Sequence, residues 1–85
     1  MTINSVKTVT VQYFALLREQ RGVDKETLAT DAADGATLYD RLAKQYGFTL
    51  PVERLRVAIN GEFAPWPAPL RDGDNLVFVP PVAGG

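Results

Sequence analysis

Leu55-Arg56-Val57-Ala58-Ile59-Asn60-Gly61-Glu62-Phe63-Ala64-Pro65-Trp66-Pro67-Ala68-Pro69 decides the fold, because no helix fits inside it. Leu55, Val57 and Ile59 alternate with Arg56 and Ala58, the period of a strand with one buried face. Asn60-Gly61 between apolar segments favours a type I′ turn, whose two central residues need positive φ. A hairpin then continues through Glu62 and Phe63. Pro65, Pro67 and Pro69 remove three backbone donors, so Ala64 to Pro69 is neither helix nor central strand. Trp66, set between two of these prolines, reads as a structural plug for the loop.

Upstream, Val6 to Phe14 alternates, with Val9, Val11 and Tyr13 on one side and Thr8, Thr10 and Gln12 on the other, as in a strand. Ala15 to Arg21 is a short run of good helix formers closed by Gly22. Lys25 to Thr30 reads as a weaker strand that ends in the turn Asp31 to Gly35. Thr37 is the expected N-cap of the one long helix, on which Leu38, Tyr39, Leu42, Ala43 and Tyr46 form an apolar stripe. Gly47 ends it. Downstream, Leu70-Arg71-Asp72-Gly73-Asp74 is a turn, whose carboxylates lack the spacing of metal ligands, and Asn75 to Val79 is the last strand.

A split βαβ domain would require a second helix between Arg56 and Leu76, where the Asn-Gly turn and the prolines leave no room. The expected fold is therefore α+β, a β-grasp (ubiquitin-like) roll: a mixed sheet of four or five strands with one main helix. Residues 1–79 form one domain and residues 80–85 an extended C-terminal tail. Met1 to Ser5 is a polar start.

At 85 residues the chain has length for one modest core, and 46% hydrophobic with 22% charged residues is a globular composition. A net charge of −1 without any lysine or arginine run gives no support to binding of nucleic acid or an anionic membrane surface. No apolar stretch approaches a membrane span and no export signal is present, which makes the cytoplasm the default location. Cysteine and histidine are both absent, which excludes disulfides, thiol nucleophiles, imidazole catalysis and the usual zinc sites. No carboxylate pair is set for acid–base catalysis, and no stable cofactor is expected. The composition is that of a substrate or carrier.

The chain ends Val79-Pro80-Pro81-Val82-Ala83-Gly84-Gly85. Two prolines neither donate to a ladder nor allow the residue before them to turn helical, so the sheet stops and the chain leaves it extended. From Pro80 to Gly85 an extended chain reaches roughly 20 Å. Consecutive glycines have no packing use and cost the most backbone entropy to order. One reading is a frayed end after a Pro-Pro stop to edge pairing. The other is a slender tail whose Gly85 carboxylate enters a narrow site on a partner. That carboxylate is a poor electrophile until activated, and no GxxxxGK[ST] phosphate loop exists here to bind a nucleotide. Phe14, opposite in face to Val9, Val11 and Tyr13, is with Arg18 either an exposed interface anchor or a cap over the core's end.

Four segments together resemble the small subunit of molybdopterin synthase: Val11-Gln12-Tyr13-Phe14-Ala15 with Arg18-Glu19; Ala58-Ile59-Asn60-Gly61-Glu62; Leu70-Arg71-Asp72-Gly73-Asp74; and Phe78-Val79-Pro80-Pro81-Val82-Ala83-Gly84-Gly85. The resemblance runs from about Lys7 to Gly85. It implies a β-grasp fold and a terminal glycine adenylated by an E1-like partner that consumes ATP. A persulfide-bearing protein then supplies sulfur, giving a thiocarboxylate. The large catalytic subunit receives the tail, and sulfur passes to cyclic pyranopterin monophosphate to build the dithiolene of molybdopterin. Gly85 would carry the sulfur, Gly84 allow close approach, and Pro80, Pro81, Val82 and Ala83 form the inserted tail. Phe14, Arg18 and Val79 would face the partner. The chain would then be the non-catalytic subunit of a sulfurtransferase, working in a heteromer and not an enzyme alone. Alternatives that share the tail chemistry are a carrier for thiazole synthesis and a ubiquitin-like modifier joined to lysine. A plain interaction module leaves the Gly-Gly unexplained.

Overall fold

A computed structural model describes residues 6–81. Its elements are β1 (Lys7–Tyr13), α1 (Ala15–Arg21), β2 (Lys25–Thr30), α2 (Gly35–Tyr46), a 3-10 turn (Val52–Arg54), β3 (Arg56–Ile59), β4 (Glu62–Ala64) and β5 (Asn75–Val79). The five strands form one mixed sheet in the order β2-β1-β5-β3-β4. β1 and β5 run parallel, while β1/β2, β3/β4 and β3/β5 are antiparallel. This is the expected β-grasp roll; α1 is the short run of helix formers Ala15–Arg21 closed by Gly22, and the 3-10 turn is the one addition.

Alternation is what builds the core. Val9, Val11, Tyr13, Leu76, Phe78 and Val57 point to one side of the sheet and are nearly inaccessible. α2 closes that side with Leu38, Tyr39 and Leu42, while Asp40, Arg41, Lys44 and Gln45 face water. Ala43 and Tyr46 complete the stripe, half-buried at its edge. Phe78 lies at the centre, edge-on to Tyr39 at 5.1 Å between centroids and stacked against Trp66 at 6.2 Å. Trp66 thus plugs the proline loop onto the core.

One local expectation needs correction. The N-cap of α2 is Asp34, whose Oδ1 accepts the Thr37 N–H at 2.8 Å, and the helix starts at Gly35. Thr37 occupies the third helical position, so it receives the cap. A carboxylate accepts the free amide there and also favours the positive end of the helix dipole.

The Asn60-Gly61 turn has φ of 54° and 87°, both positive as a type I′ turn demands. The acidic turn after Leu70 is a set of internal staples. Asp72 Oδ1 accepts the Thr8 N–H, and buried Asp74 accepts from Asn60 Nδ2 at 2.9 Å and from the Arg71 N–H at 2.8 Å. Among the described residues no cluster of three potential metal ligands exists, and no helix is long and apolar enough to cross a membrane.

Candidate functional site at the tail exit

The parallel pairing of β1 with β5 places Tyr13 beside Phe78. The next residues in each strand direction are Phe14 and Val79. The start of α1 and the base of the tail therefore meet at one end of the sheet. β5 stops at Val79, Pro80 is half-buried and Pro81 is exposed. Val82, Ala83, Gly84 and Gly85 lie outside the described residues.

Phe14 is 42% exposed and so is not a cap over the core. It occupies the N-cap position of α1 in an extended conformation and makes no side-chain capping bond. The next residue, Ala15, takes φ of +52°. A left-handed alanine costs about 1 kcal/mol. Sequence rules would favour Ser or Asp at this cap, so the turn keeps an outward aromatic at a local cost. Arg18, one turn on, is exposed and has no ion pair among the described residues.

α1 is held by a network on its inner side. Arg21 grips Glu26 of β2 through Nε at 2.9 Å and Nη2 at 2.6 Å, and lies over the Tyr46 ring of α2 at 4.0 Å. Buried Tyr13 donates its hydroxyl to the same Glu26 carboxylate at 2.6 Å. The Arg21 hydrogen bonds hold the Glu26 carboxyl below its usual range, whereas burial, with Glu26 as acceptor, pushes the Tyr13 hydroxyl far up. The network is structural: it fixes the element that carries Phe14 and Arg18.

Residues paired across strands share a face. Gln12, Val77, Ala58 and Phe63 form one such row on the side away from α2, and Val79 pairs with Arg56 in the next. Phe63, 59% exposed, is the most accessible large apolar residue of this face, and the Arg56 guanidinium lies 4.1 Å from its ring centroid. Arg56, Phe63, Val79, Pro80 and Pro81 line a groove of about 310 Å³ at the tail exit. Of the expected partner-facing residues, Val79 lines this groove, while Phe14 and Arg18 do not; Arg56 and Phe63 line it and were missed by sequence reasoning. The signal was present: a two-residue Asn-Gly loop pairs Ile59 with Glu62 and hence Ala58 with Phe63, on the outward side. A larger cavity of about 520 Å³ between β2 and α2 shares no residue with the tail exit. Its carboxylates Glu26 and Asp31 are already paired to Arg21 and Arg41.

Fold and exit geometry define a β-grasp domain that presents its C-terminal strand end beside an open, partly apolar sheet face. The chain belongs to the ThiS family, whose model matches residues 11–85. By homology it groups with the molybdopterin synthase sulfur carrier subunits. That of Haemophilus influenzae is 36% identical over 88% of this chain and 96% of its own length, and that of Escherichia coli 34% identical over 91% and 99%. Among solved structures, a putative molybdopterin converting factor subunit 1 from Pyrococcus furiosus superposes with a TM-score of 0.72 at 28% identity, covering 89% of this chain and 99% of that one. A chain of the complex of subunits 1 and 2 of the molybdopterin-converting factor from Helicobacter pylori gives 0.61 at 28%, covering 92% and 99%. SAMP1 of Haloferax volcanii gives 0.70 at 25%, covering 92% and 99%.

Proposed function

We propose that this chain is the sulfur carrier of a molybdopterin synthase and that the carboxyl group of Gly85 carries the sulfur. An E1-like enzyme joins the Gly85 carboxylate to the adenylyl group of ATP with release of pyrophosphate. The persulfide of a sulfur-delivering protein then displaces AMP to form an acyl disulfide, and a thiol, itself oxidised to a disulfide, cleaves the S–S bond to leave the thiocarboxylate. The tail, residues 80–85, then enters the large catalytic subunit, where the sulfur is donated to cyclic pyranopterin monophosphate. Phe14, Arg18 and Val79 belong to the surface that meets this partner. The chain itself binds no stable cofactor. It works in the cytoplasm.

The observation that carries the reading is the match to named sulfur carrier subunits over nearly their full length, with the family match running to residue 85. The Helicobacter pylori complex supports a subunit 2-like partner. The exit at Val79 supplies the mechanics, since a strand that ends in two prolines delivers the chain outward and extended.

Intact-mass spectrometry after incubation with the activating enzyme, ATP and a sulfur donor tests the proposal. A species heavier by one oxygen-to-sulfur exchange is expected, and deletion of Gly85 should abolish it without altering thermal unfolding. A product that stays the plain carboxylate under these conditions counts against sulfur carriage. The likeness to SAMP1, a small archaeal modifier protein, keeps a second reading in view. That reading expects a lysine-linked adduct in place of the thiocarboxylate.

A further inference from the structure

We infer that Arg56, held over Phe63, is a charge-matching specificity determinant that takes a carboxylate of the large subunit at the base of the tail. The inference rests on the proposed function and names the chemistry of one contact within it. The groove at the tail exit is walled by Pro80 and Pro81 themselves, so a protein that receives the tail must cover it. Val79 is the cross-strand partner of Arg56, and Phe63 sits diagonally from Arg56 on the neighbouring strand. The tail base, the cation and the aromatic ring therefore form one continuous strip over β5, β3 and β4.

The cation in that strip is unspent. Arg21, Arg41 and Lys44 each have a carboxylate partner, whereas Arg56 has none among the described residues. Its guanidinium lies 4.1 Å from the Phe63 ring centroid, a cation–π contact that leaves its N–H donors without a carboxylate among the described residues. Arg54 and Glu53 also line the groove, neither of them ion-paired, so the groove stays net positive. Once a partner covers this strip, an unpaired guanidinium loses its water without compensation. The ring contact restrains the guanidinium before docking, so a carboxylate partner costs little further ordering. The large subunit is the partner selected here because it is the protein in which the tail is proposed to reside.

Titration calorimetry of the full chain against the large subunit of its own organism, at low and at physiological salt, tests the assignment. Arg56→Gln should weaken binding about tenfold at low salt and flatten the salt dependence. Arg56→Lys should fall between the two, because ammonium keeps the charge without the fork. Phe63→Ala should lose a similar factor and combine non-additively with Arg56→Gln, since the ring positions the cation. Both residues are exposed, so the melting curves should stay close to wild type. Arg56→Gln binding within about twofold of wild type at both salts would overturn the inference and leave the carrier reading intact. So would a loss confined to the activating enzyme. Failure of the wild-type chain to bind the large subunit would overturn the reading and the inference together.

Discussion

Tyr13 and Phe78 stand side by side in the parallel pair of β1 and β5, and both are fully buried. This pairing joins residues from opposite ends of the chain and makes Phe14 and Val79 neighbours at one sheet end. The tail exit is therefore a product of the core. Phe78 packs against Tyr39 and Trp66, so its removal opens a cavity between α2 and the proline loop.

Phe78→Ala should cost about 3–5 kcal/mol. A domain of this size has only about 5–15 kcal/mol in total, and each kcal/mol moves its melting point by about 4–8 °C. Circular dichroism melts should show a drop of more than about 12 °C or loss of the cooperative transition. A drop of less than about 5 °C would mean that the sheet end is held by something other than this core contact.

Glu26 should make stability acid-sensitive. Its carboxyl is held low by Arg21, with a further contribution from the Tyr13 hydroxyl, against opposing desolvation. A carboxyl lowered in the folded state adds stability above its unfolded pKa, about 4.3, and that contribution fades as pH falls through the folded value. Asp31, lowered by Arg41, acts with the same sign, but it is exposed and screened by salt. Glu26→Gln should cost about 1–2 kcal/mol at pH 7, and its melting point should draw closer to wild type as pH falls below the usual carboxylate range. Curves that stay parallel across that range would remove Glu26 from the acid response.

Asp74 is a structural carboxylate in an acidic-looking turn. Replacing it by Ala leaves Asn60 Nδ2 and the Arg71 N–H, both in part-buried bonds, without their acceptor, at about 1 kcal/mol. Asp74→Asn keeps one acceptor and should cost about half as much. Added divalent cations should shift neither melting point. A cation-dependent rise in the wild type alone would show that the turn binds metal.

Most of the fold was legible because its signals are local. Alternation gave β1 and β3, Asn60-Gly61 gave the hairpin, and the prolines after Ala64 excluded a second long helix. The start of α2 was misplaced by three residues, since Asp34 sits among turn formers and Thr37 is an equally good cap by residue type. The β1/β5 register was not legible, because nothing within either strand states which distant strand it will join. Phe14 shows the same limit from the other side. Its outward face follows from alternation, but the open turn that exposes it depends on Ala15 at φ +52°.

Phe14→Asp separates stability from partner binding. The residue fills an N-cap position without a capping bond, and Asp there accepts a backbone N–H from the first turn of α1, worth about 0.5–2 kcal/mol. The lost ring is exposed, so little core contact goes with it. The variant should melt at or above the wild-type temperature. If Phe14 anchors the large subunit, the same change should weaken that complex at least tenfold, about 1.4 kcal/mol, because a buried interface aromatic is replaced by a charge. Calorimetric titration beside a melt reads both quantities from one preparation. A lowered melting point would return Phe14 to the core, and unchanged affinity would take it out of the interface. A chain selected for stability alone has no reason to keep phenylalanine at this cap, so a rise in stability paired with a fall in affinity is the signature of a residue retained for its partner.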